Sequence, residues 1–367
     1  MQSKNKQPVY VVPILIEQPT WGGQYIGEFK KIAEELGKLN IGQSYELAAE
    51  SLVYAGDFQP CFQLARGGKI DSLENSAIPD RAESLASYSE GESLPLIKFT
   101  QAQENSYQLH VKKPTGEWQP KPESWYFFEK GYATLGVTQA TAQDPTAYRK
   151  RCEAINEYAK KLSTKIRDEE LSVNEARAKL VDFIEADHPR NYVNSVEIPQ
   201  NSVVDLSEGA VHHSWEAHPD LPLGNIVYEV QKDVKDDVST LRSFDQGKIK
   251  DDGSIRGLTI PEYFATLETD VAKNDPQTLV QTVEVSSSET FKSLFDSPHY
   301  KLIQATWTEN SLELPSSNQY QHIFVKEGDI TITLGDKSWH VPQGWSMILP
   351  PIGETSFYSL ADSSIKK

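Results

Sequence analysis

One short stretch, between residues 107 and 126, contains three side chains that could bind a metal ion together. Gln108 and His110 are two residues apart in an alternating run, so on a β-strand both side chains point to the same face. Glu123 follows a turn marked by proline and glycine, and an antiparallel return strand would bring it beside them. An amide oxygen, an imidazole and a carboxylate without thiolate favour Zn²⁺, with Mn²⁺, Fe²⁺ or Co²⁺ as alternatives. The competing interpretation is an ordinary half-exposed sheet surface, so the rest of the chain must decide.

The composition predicts a folded and acidic protein. Its 367 residues suggest two or three structural units, and 38% hydrophobic residues with 10% aromatics can build packed cores. A net charge of -17 argues against nucleic acid and anionic membranes as partners, although a local basic cluster could still bind an anionic small substrate. Cys61 and Cys152 form no disulfide framework, and the N-terminal apolar run is too short for a membrane span or signal peptide. We expect a cytoplasmic protein.

The elements that must position the ligands are mainly strands. Val9 to Ile16 predicts a strand, and Ile26 to Leu36 has the spacing of an amphipathic helix that ends at Gly37. Leu94 to Phe99 predicts a buried strand that carries Lys98. A lone lysine in such a strand usually reaches the surface, but one that faces the same site as His110 would hold an anion.

A helical insertion interrupts the β pattern after this region. Asp144-Pro145 is typical of a helix start, and Ser172 with Glu175 forms a capping box that opens a second helix. The segment from Asp144 to Ala186 is therefore predicted to pack against one end of a β domain, with a lid as the minority interpretation. Strands return from Tyr192, and Pro261 to Asp275 predicts a further helix.

The C-terminal part has short strands and turn signals about every eight residues, which is typical of a small β-barrel. It resembles a cupin barrel that has no ligand set of its own. The earlier β region resembles the type I phosphomannose isomerases, a two-cupin zinc family. Seven matches occur in the right order over residues 10 to 250: Trp21-Gly22-Gly23, Ile41 to Leu47, Pro95 to Lys98, Gln108-Leu109-His110, Lys121-Pro122-Glu123, Gly209 to His212, and Glu229-Val230-Gln231 with Arg242.

The resemblance implies a mainly β fold with a helical insertion and two cupin-type, jelly-roll β-barrels. It places the catalytic cupin domain in residues 1–140 and 190–278, the helical insertion in 141–189, and a barrel without metal ligands in 279–367. It implies one Zn²⁺ per chain, bound by four side chains: Gln108, His110, Glu123 and His212. His213 and His218 are interpreted as surface histidines. We expect a monomer or weak homo-oligomer.

The implied reaction interconverts mannose 6-phosphate and fructose 6-phosphate through an enediol. By the resemblance, Arg242 lies by the sugar oxygens, and Lys121 is held near the metal, where a neighbouring cation should favour its neutral form for proton transfer. Lys98 is assigned to the phosphate end, and Glu229 also to substrate binding. Gln43 stands where the family has a glutamate, and Val111-Lys112-Lys113 replaces an acidic segment. A metal-binding protein that recognises a sugar or sugar phosphate without isomerising it therefore stays open, as does a two-barrel protein without metal.

Overall fold

The computed structural model describes residues 6–18, 21–68, 73–102, 106–207, 209–214, 220–283, 290–307, 311–352 and 356–362. The chain is mainly β with a helical insertion, which confirms the predicted fold class. It forms two compact units, and each unit draws on separate parts of the chain. The first contains Met1–Gln101, Tyr228–Asp233 and Glu284–Lys367, and the second contains Ala102–Val227 and Val234–Val283. The division into 1–140 with 190–278, 141–189 and 279–367 stays a prediction.

The first unit is built from β-sheets. One sheet has the strand order Gln321–Phe324, Ser346–Leu349, Val9–Val12, Leu52–Tyr54 and Glu83–Ser84. Five strands of a second sheet follow the order Leu96–Ala102, Ile41–Leu47, Ile14–Glu17, Phe62–Ala65 and Leu73–Ser76. A C-terminal sheet has the order Leu312–Leu314, Tyr358–Asp362, Ile330–Leu334 and Lys337–Val341, and Phe291–Asp296 pairs with Lys301–Ala305. The short helical segments are Tyr25–Phe29, Ala33–Leu36, Leu85–Tyr88 and the 3-10 segment Arg66–Gly68.

Two predictions about the N-terminal elements are wrong in detail. The single strand expected over Val9 to Ile16 is two strands that meet at Pro13, because proline has no N–H to donate to a ladder. The single helix expected over Ile26 to Leu36 is broken, and Lys31 has a φ of +59° at the break. The break accompanies an inward turn of Lys30, whose ammonium lies 2.7 Å from the buried carboxylate of Glu46. Spacing of apolar residues does not reveal a lysine that is drawn inward.

The second unit contains two sheets and most of the helices. Its five-stranded sheet has the order Val193–Ile198, Gly131–Val137, His212–Ser214, Tyr107–Leu109 and Leu241–Phe244. Its other strands are ordered Val280–Thr282, Ser202–Asp205 and Glu123–Phe127. The boundary between the units falls within strand Asn225–Gln231. The helical segments are Gln139–Gln143, Thr146–Arg167, Val173–Glu185, Pro189–Tyr192, Asp236–Val238, Ile260–Thr266, Ala272–Asn274 and Pro276–Leu279.

One of the two helix caps predicted for the insertion is confirmed. The capping box of Ser172 and Glu175 is present at the start of Val173–Glu185. The other long helix begins at Thr146 with Pro145 as its N-cap, so the cap lies one residue later than the predicted Asp144. The Asp144 carboxylate still accepts from the backbone N–H of Thr146 at 3.0 Å. No helix in the described part of the chain is both long and apolar enough to cross a membrane.

The helix expected over Pro261 to Asp275 is shorter than predicted. It ends at Thr266, and only a 3-10 turn, Ala272–Asn274, follows. The Asn274 side chain donates to the backbone carbonyls of Glu268 and Asp270 and accepts from the N–H of Val137. These side-chain bonds offer the backbone an alternative to a continued helix.

Two hydrophobic cores lie on opposite faces of the five-stranded sheet. The helices pack on one face, where Leu109, Val211 and Leu241 join a cluster with residues such as Tyr148 and Leu180. On the other face, a second cluster joins this sheet to strands Glu123–Phe127 and Ser202–Asp205 of the other sheet: Trp125, Phe127, Ala133, Leu135, Val204 and Leu206 are among its members. Because successive side chains alternate between faces, Gln108, His110 and His212 lie on the face of the second cluster.

Candidate metal centre

Strand register places three of the predicted side chains in one row. His212 is directly opposite Gln108, and Arg242 is opposite Gln108 on the other neighbouring strand. Directly opposite residues of an antiparallel pair share a face of the sheet. The middle strand therefore presents Gln108 between a histidine and an arginine, with His110 two residues further along.

Glu123 reaches the site by a different route from the one predicted. The expected hairpin between strands Tyr107–Leu109 and Glu123–Phe127 is wrong, since the two strands belong to different sheets. The connection between them contains Pro114, Pro120 and Pro122, and proline cannot donate to a ladder. Glu123 thus faces His110 from the opposing layer, and its Oε2 lies 3.2 Å from His110 Nε2.

The tautomer of His110 is determined by the backbone. Its Nδ1 lies 2.8 Å from the carbonyl oxygen of Ser239, which can only accept a hydrogen bond. Nδ1 therefore carries a proton, and Nε2, which faces the Glu123 carboxylate, is the ring nitrogen that could bind a metal ion. A distance of 3.2 Å between Nε2 and Oε2 fits a proton or a metal cation between the two atoms.

His212 is arranged in the same way. Its Nδ1 donates to the carbonyl oxygen of Ala210 at 2.9 Å, which leaves Nε2 with a free lone pair. That Nε2 atom is buried and has no hydrogen-bond partner among the described residues. Burial lowers the pKa of His212 to about 4, so the ring is neutral at pH 7. A buried acceptor without a donor is costly for a protein unless something else occupies the position.

Trp125 orients the Glu123 carboxylate. The two residues share a strand face, and the indole Nε1 donates to Glu123 Oε1 at 2.5 Å. Oε2 is left to face His110. Burial by itself would raise the pKa of Glu123, but the Lys121 ammonium and the His110 ring hold it well below its usual range. Glu123 is therefore a carboxylate in a buried site.

Gly209 allows the segment that carries His212 to pass close to His110. It has a φ of +74°, and a Cβ at this position would lie 2.5 Å from the carbonyl oxygen of His110. Any other residue would therefore push the two ligand-bearing segments apart.

These three side chains fit a divalent metal ion. The ligand atoms of His110, Glu123 and His212 all lie within 4.8 Å of one another, and all three residues are buried. The two imidazole nitrogens offer lone pairs, the carboxylate supplies charge, and the Nδ1 atoms are held by backbone carbonyls, as is usual for metal-binding histidines. The set suits zinc, and Gln108 is the predicted fourth ligand.

The side chains of Lys121 and Arg242 are joined to this centre by carboxylates. Lys121 Nζ is 3.5 Å from Glu123 Oε2 and 3.3 Å from Asp236 Oδ1. Arg242 Nη2 donates to Asp236 Oδ2 at 2.5 Å, and its Nε donates to Ser106 Oγ at 3.1 Å. Asp236 therefore bridges the two side chains predicted to be catalytic. In the sequence, Asp236 is one of two adjacent aspartates shortly before Arg242, and no local pattern indicates that it lies between Lys121 and Arg242.

Comparisons with known proteins identify the fold. No protein-family model matches the sequence, and no curated protein matches it. Among solved structures, mannose 6-phosphate isomerase from Bacillus subtilis covers 97% of each chain at 15% identity, with a TM-score of 0.60. The Salmonella typhimurium enzyme, solved with substrate and zinc bound, covers 97% of this chain and 100% of that chain at 13% identity, with a TM-score of 0.59.

The chain has the fold of the phosphomannose isomerases. A further mannose 6-phosphate isomerase, solved with zinc bound, covers 97% of each chain at 12% identity and a TM-score of 0.61. The resemblance predicted from seven short motifs is confirmed at the level of the fold. The chemistry must be argued from the side chains of this chain.

The two residues assigned to substrate binding lie together in the first unit of this fold. Lys98 Nζ is 3.0 Å from Glu229 Oε1, and both side chains are largely buried. The ammonium also lies over the Tyr45 ring at 5.6 Å from its centroid. The lysine that was expected to bind phosphate is thus paired with the second predicted residue, and the roles of both stay predictions.

The interpretation of His213 as a surface histidine is wrong. Its side chain is buried on the helix-packed face, with Nε2 2.6 Å from Gln246 Nε2 and Nδ1 3.3 Å from Thr134 Oγ1. Its opposite orientation from His212 agrees with the strand alternation. Both faces of this sheet are covered, so alternation could not distinguish burial from exposure. His218 lies outside the described residues.

Proposed function

We propose that this chain is a zinc-dependent aldose–ketose isomerase that interconverts mannose 6-phosphate and fructose 6-phosphate through an enediol. The observation that carries the proposal is the buried His212 Nε2, which has a free lone pair beside His110 and Glu123. This centre occurs in the fold of proteins described as mannose 6-phosphate isomerases, some of which were solved with zinc. In the proposal Gln108, His110, Glu123 and His212 hold one zinc ion per chain.

When bound, the zinc ion would polarise the substrate oxygens and stabilise negative charge that develops between carbons 1 and 2. Lys121 is the proposed acid/base group that moves a proton between these carbons, since its ammonium lies at the edge of the ligand set. Arg242, 15% exposed, is proposed to bind a substrate oxygen, because a desolvated guanidinium makes strong charge-assisted hydrogen bonds. Lys98 and Glu229 are proposed to bind the phosphate end and the sugar, on the resemblance alone.

A chelator experiment tests the proposal directly. Purified protein is assayed with mannose 6-phosphate, then after removal of metal, and again after zinc is added back. Turnover that disappears and returns is expected, together with uptake of solvent deuterium at carbon 1 or 2 in D₂O. His212→Ala should lose zinc and activity, whereas His299→Gln, at an exposed histidine, should keep both.

Two results would contradict the proposal in different ways. Absence of turnover with several aldose phosphates despite stoichiometric zinc would remove the isomerase and leave a metal-dependent sugar-phosphate binding protein. Absence of zinc from protein purified without chelator, with none taken up on titration, would remove the metal centre. Lys121→Met should retain zinc and lower kcat by roughly a hundredfold to ten-thousandfold if this lysine transfers the proton.

A further inference from the structure

Glu123 Oε2 has two potential cationic partners that compete with each other. The oxygen faces His110 Nε2 at 3.2 Å, where a metal ion would bind, and it also lies 3.5 Å from the Lys121 ammonium. The Lys121 side chain is only 5% exposed, so its charge is poorly solvated and needs a carboxylate. An ammonium that paired fully with Oε2 would occupy the lone pairs that the metal requires.

Asp236 supplies the alternative partner. Its Oδ1 lies 3.3 Å from Lys121 Nζ, on the solvent side of the site, and this side chain is 62% exposed. The donors to the carboxylate include Lys121 Nζ and Thr240 Oγ1, which bind Oδ1, and Arg242 Nη2, which binds Oδ2. These bonds hold the Asp236 carboxylate beside the Lys121 ammonium, which lies near Glu123 as well.

The backbone around Asp236 is tied to the same centre. Asp236 begins the short 3-10 segment Asp236–Val238, and the backbone N–H of Thr240 donates to its carbonyl. In the same turn, the carbonyl of Ser239 accepts the Nδ1 proton of His110. Gln119, two residues before Lys121, donates its N–H to the carbonyl of Val238. One short segment thus holds both a metal ligand and the lysine that competes with the metal.

We propose that Asp236 is a positioning residue that draws the Lys121 ammonium away from the metal-facing oxygen of Glu123 and so keeps that oxygen available to the metal. The inference rests on the metal centre of the proposed function, and it holds whichever reaction the centre supports. Asp236 is not among the proposed ligands, so it affects metal binding indirectly, through its contact with Lys121.

A double-mutant cycle on zinc affinity tests this route. Zinc is titrated into a mixture of a chromophoric chelator and metal-free protein, so that the two compete for the ion. The proteins compared are wild type, Asp236→Asn, Lys121→Met and the double variant. Asp236→Asn keeps the shape of the side chain and should weaken zinc binding about tenfold, the lower end of effects seen when a supporting partner is lost. In the Lys121→Met background the same change should alter the affinity by less than about threefold, because the competing ammonium is gone.

Asp237→Asn provides a matched control. Asp237 is the adjacent exposed carboxylate, so its substitution removes the same charge without removing the Lys121 contact. Zinc affinity should stay within about twofold of wild type. Thermal unfolding of the metal-free variants shows whether each one is folded.

The outcomes separate the inference from the proposed function. If Asp236→Asn weakens zinc equally with and without Lys121, or Asp237→Asn weakens it as much, the effect is general electrostatics and the inference is wrong. If Asp236→Asn leaves zinc affinity unchanged, the inference is also wrong, while the metal centre stands. If wild-type protein binds no zinc, the metal centre and the inference fail together.

Discussion

Trp125 offers a test of the metal centre that leaves every proposed ligand in place. Its indole N–H donates to Glu123 Oε1, and its ring also meets the ring of His212 edge-on at a centroid distance of 5.4 Å. Trp125→Phe keeps an aromatic ring and removes the donor. The Glu123 carboxylate then loses the hydrogen bond that directs Oε2 toward His110.

The expected magnitude follows from the type of bond. A hydrogen bond to a charged group contributes about 1.5–3 kcal/mol, and about 1.4 kcal/mol corresponds to a factor of ten in affinity. Zinc affinity should therefore fall by about tenfold to a hundredfold, which is the range for loss of a partner that orients a metal ligand. The smaller ring also leaves a gap beside Phe127, so the metal-free protein should lose some stability as well.

The assay must separate these two effects. Zinc affinity is measured by chelator competition at 25 °C, and unfolding of the metal-free protein is followed separately in urea. Trp118→Phe is the control, since Trp118 is a partly buried tryptophan packed on the other core of the same unit. It should lose stability without losing zinc affinity. If Trp125→Phe binds zinc within a factor of about two of wild type, the orientation argument is refuted.

Three further predictions concern stability. Zinc at a hundred times its Kd should add about 2.7 kcal/mol to the unfolding free energy. Calorimetry of metal-free and zinc-loaded protein checks this, and identical melting temperatures of the two samples would contradict it. Lys30→Met should destabilise by about 3–5 kcal/mol, because the Glu46 carboxylate stays buried without its ammonium. The double variant Lys30→Met/Glu46→Leu should recover most of the lost unfolding free energy, measured in urea. A Lys30→Met variant as stable as wild type would contradict the stabilising role of the Lys30–Glu46 ion pair. Ser172→Ala should cost about 1 kcal/mol by removing a helix cap, measured against the wild-type urea midpoint.

Local sequence rules predicted a substantial part of the site. Strand alternation was enough to place Gln108 and His110 on one face and to turn His213 away from His212. The capping box at Ser172 marked the start of a helix correctly. The rules succeeded because each of these features depends only on residues within one helical turn or one strand. The alternation of side chains along a strand and the hydrogen bonds of a helix cap both act over that short range.

Long-range features were less accessible. Glu123 was assigned to a hairpin, yet it arrives from another sheet, because a period of two specifies which face a side chain takes and not which strand lies opposite. The helix break near Lys31 accompanies the burial of Lys30 against Glu46, a partner on a strand further along the chain. No local pattern encodes such a contact.

By itself, the sequence of this protein predicted the residue types of the candidate centre: an amide, an imidazole and a carboxylate from their spacing, and a second imidazole, His212, from the family resemblance. Tertiary structure alone decided that His110, Glu123 and His212 converge, that backbone carbonyls select both histidine tautomers, and that Asp236 lies between Lys121 and Arg242. The physical reason is that a metal centre depends on distances of a few ångströms between segments that are far apart in the chain. Those distances are set by the packing of two sheets, which residue type and spacing do not specify.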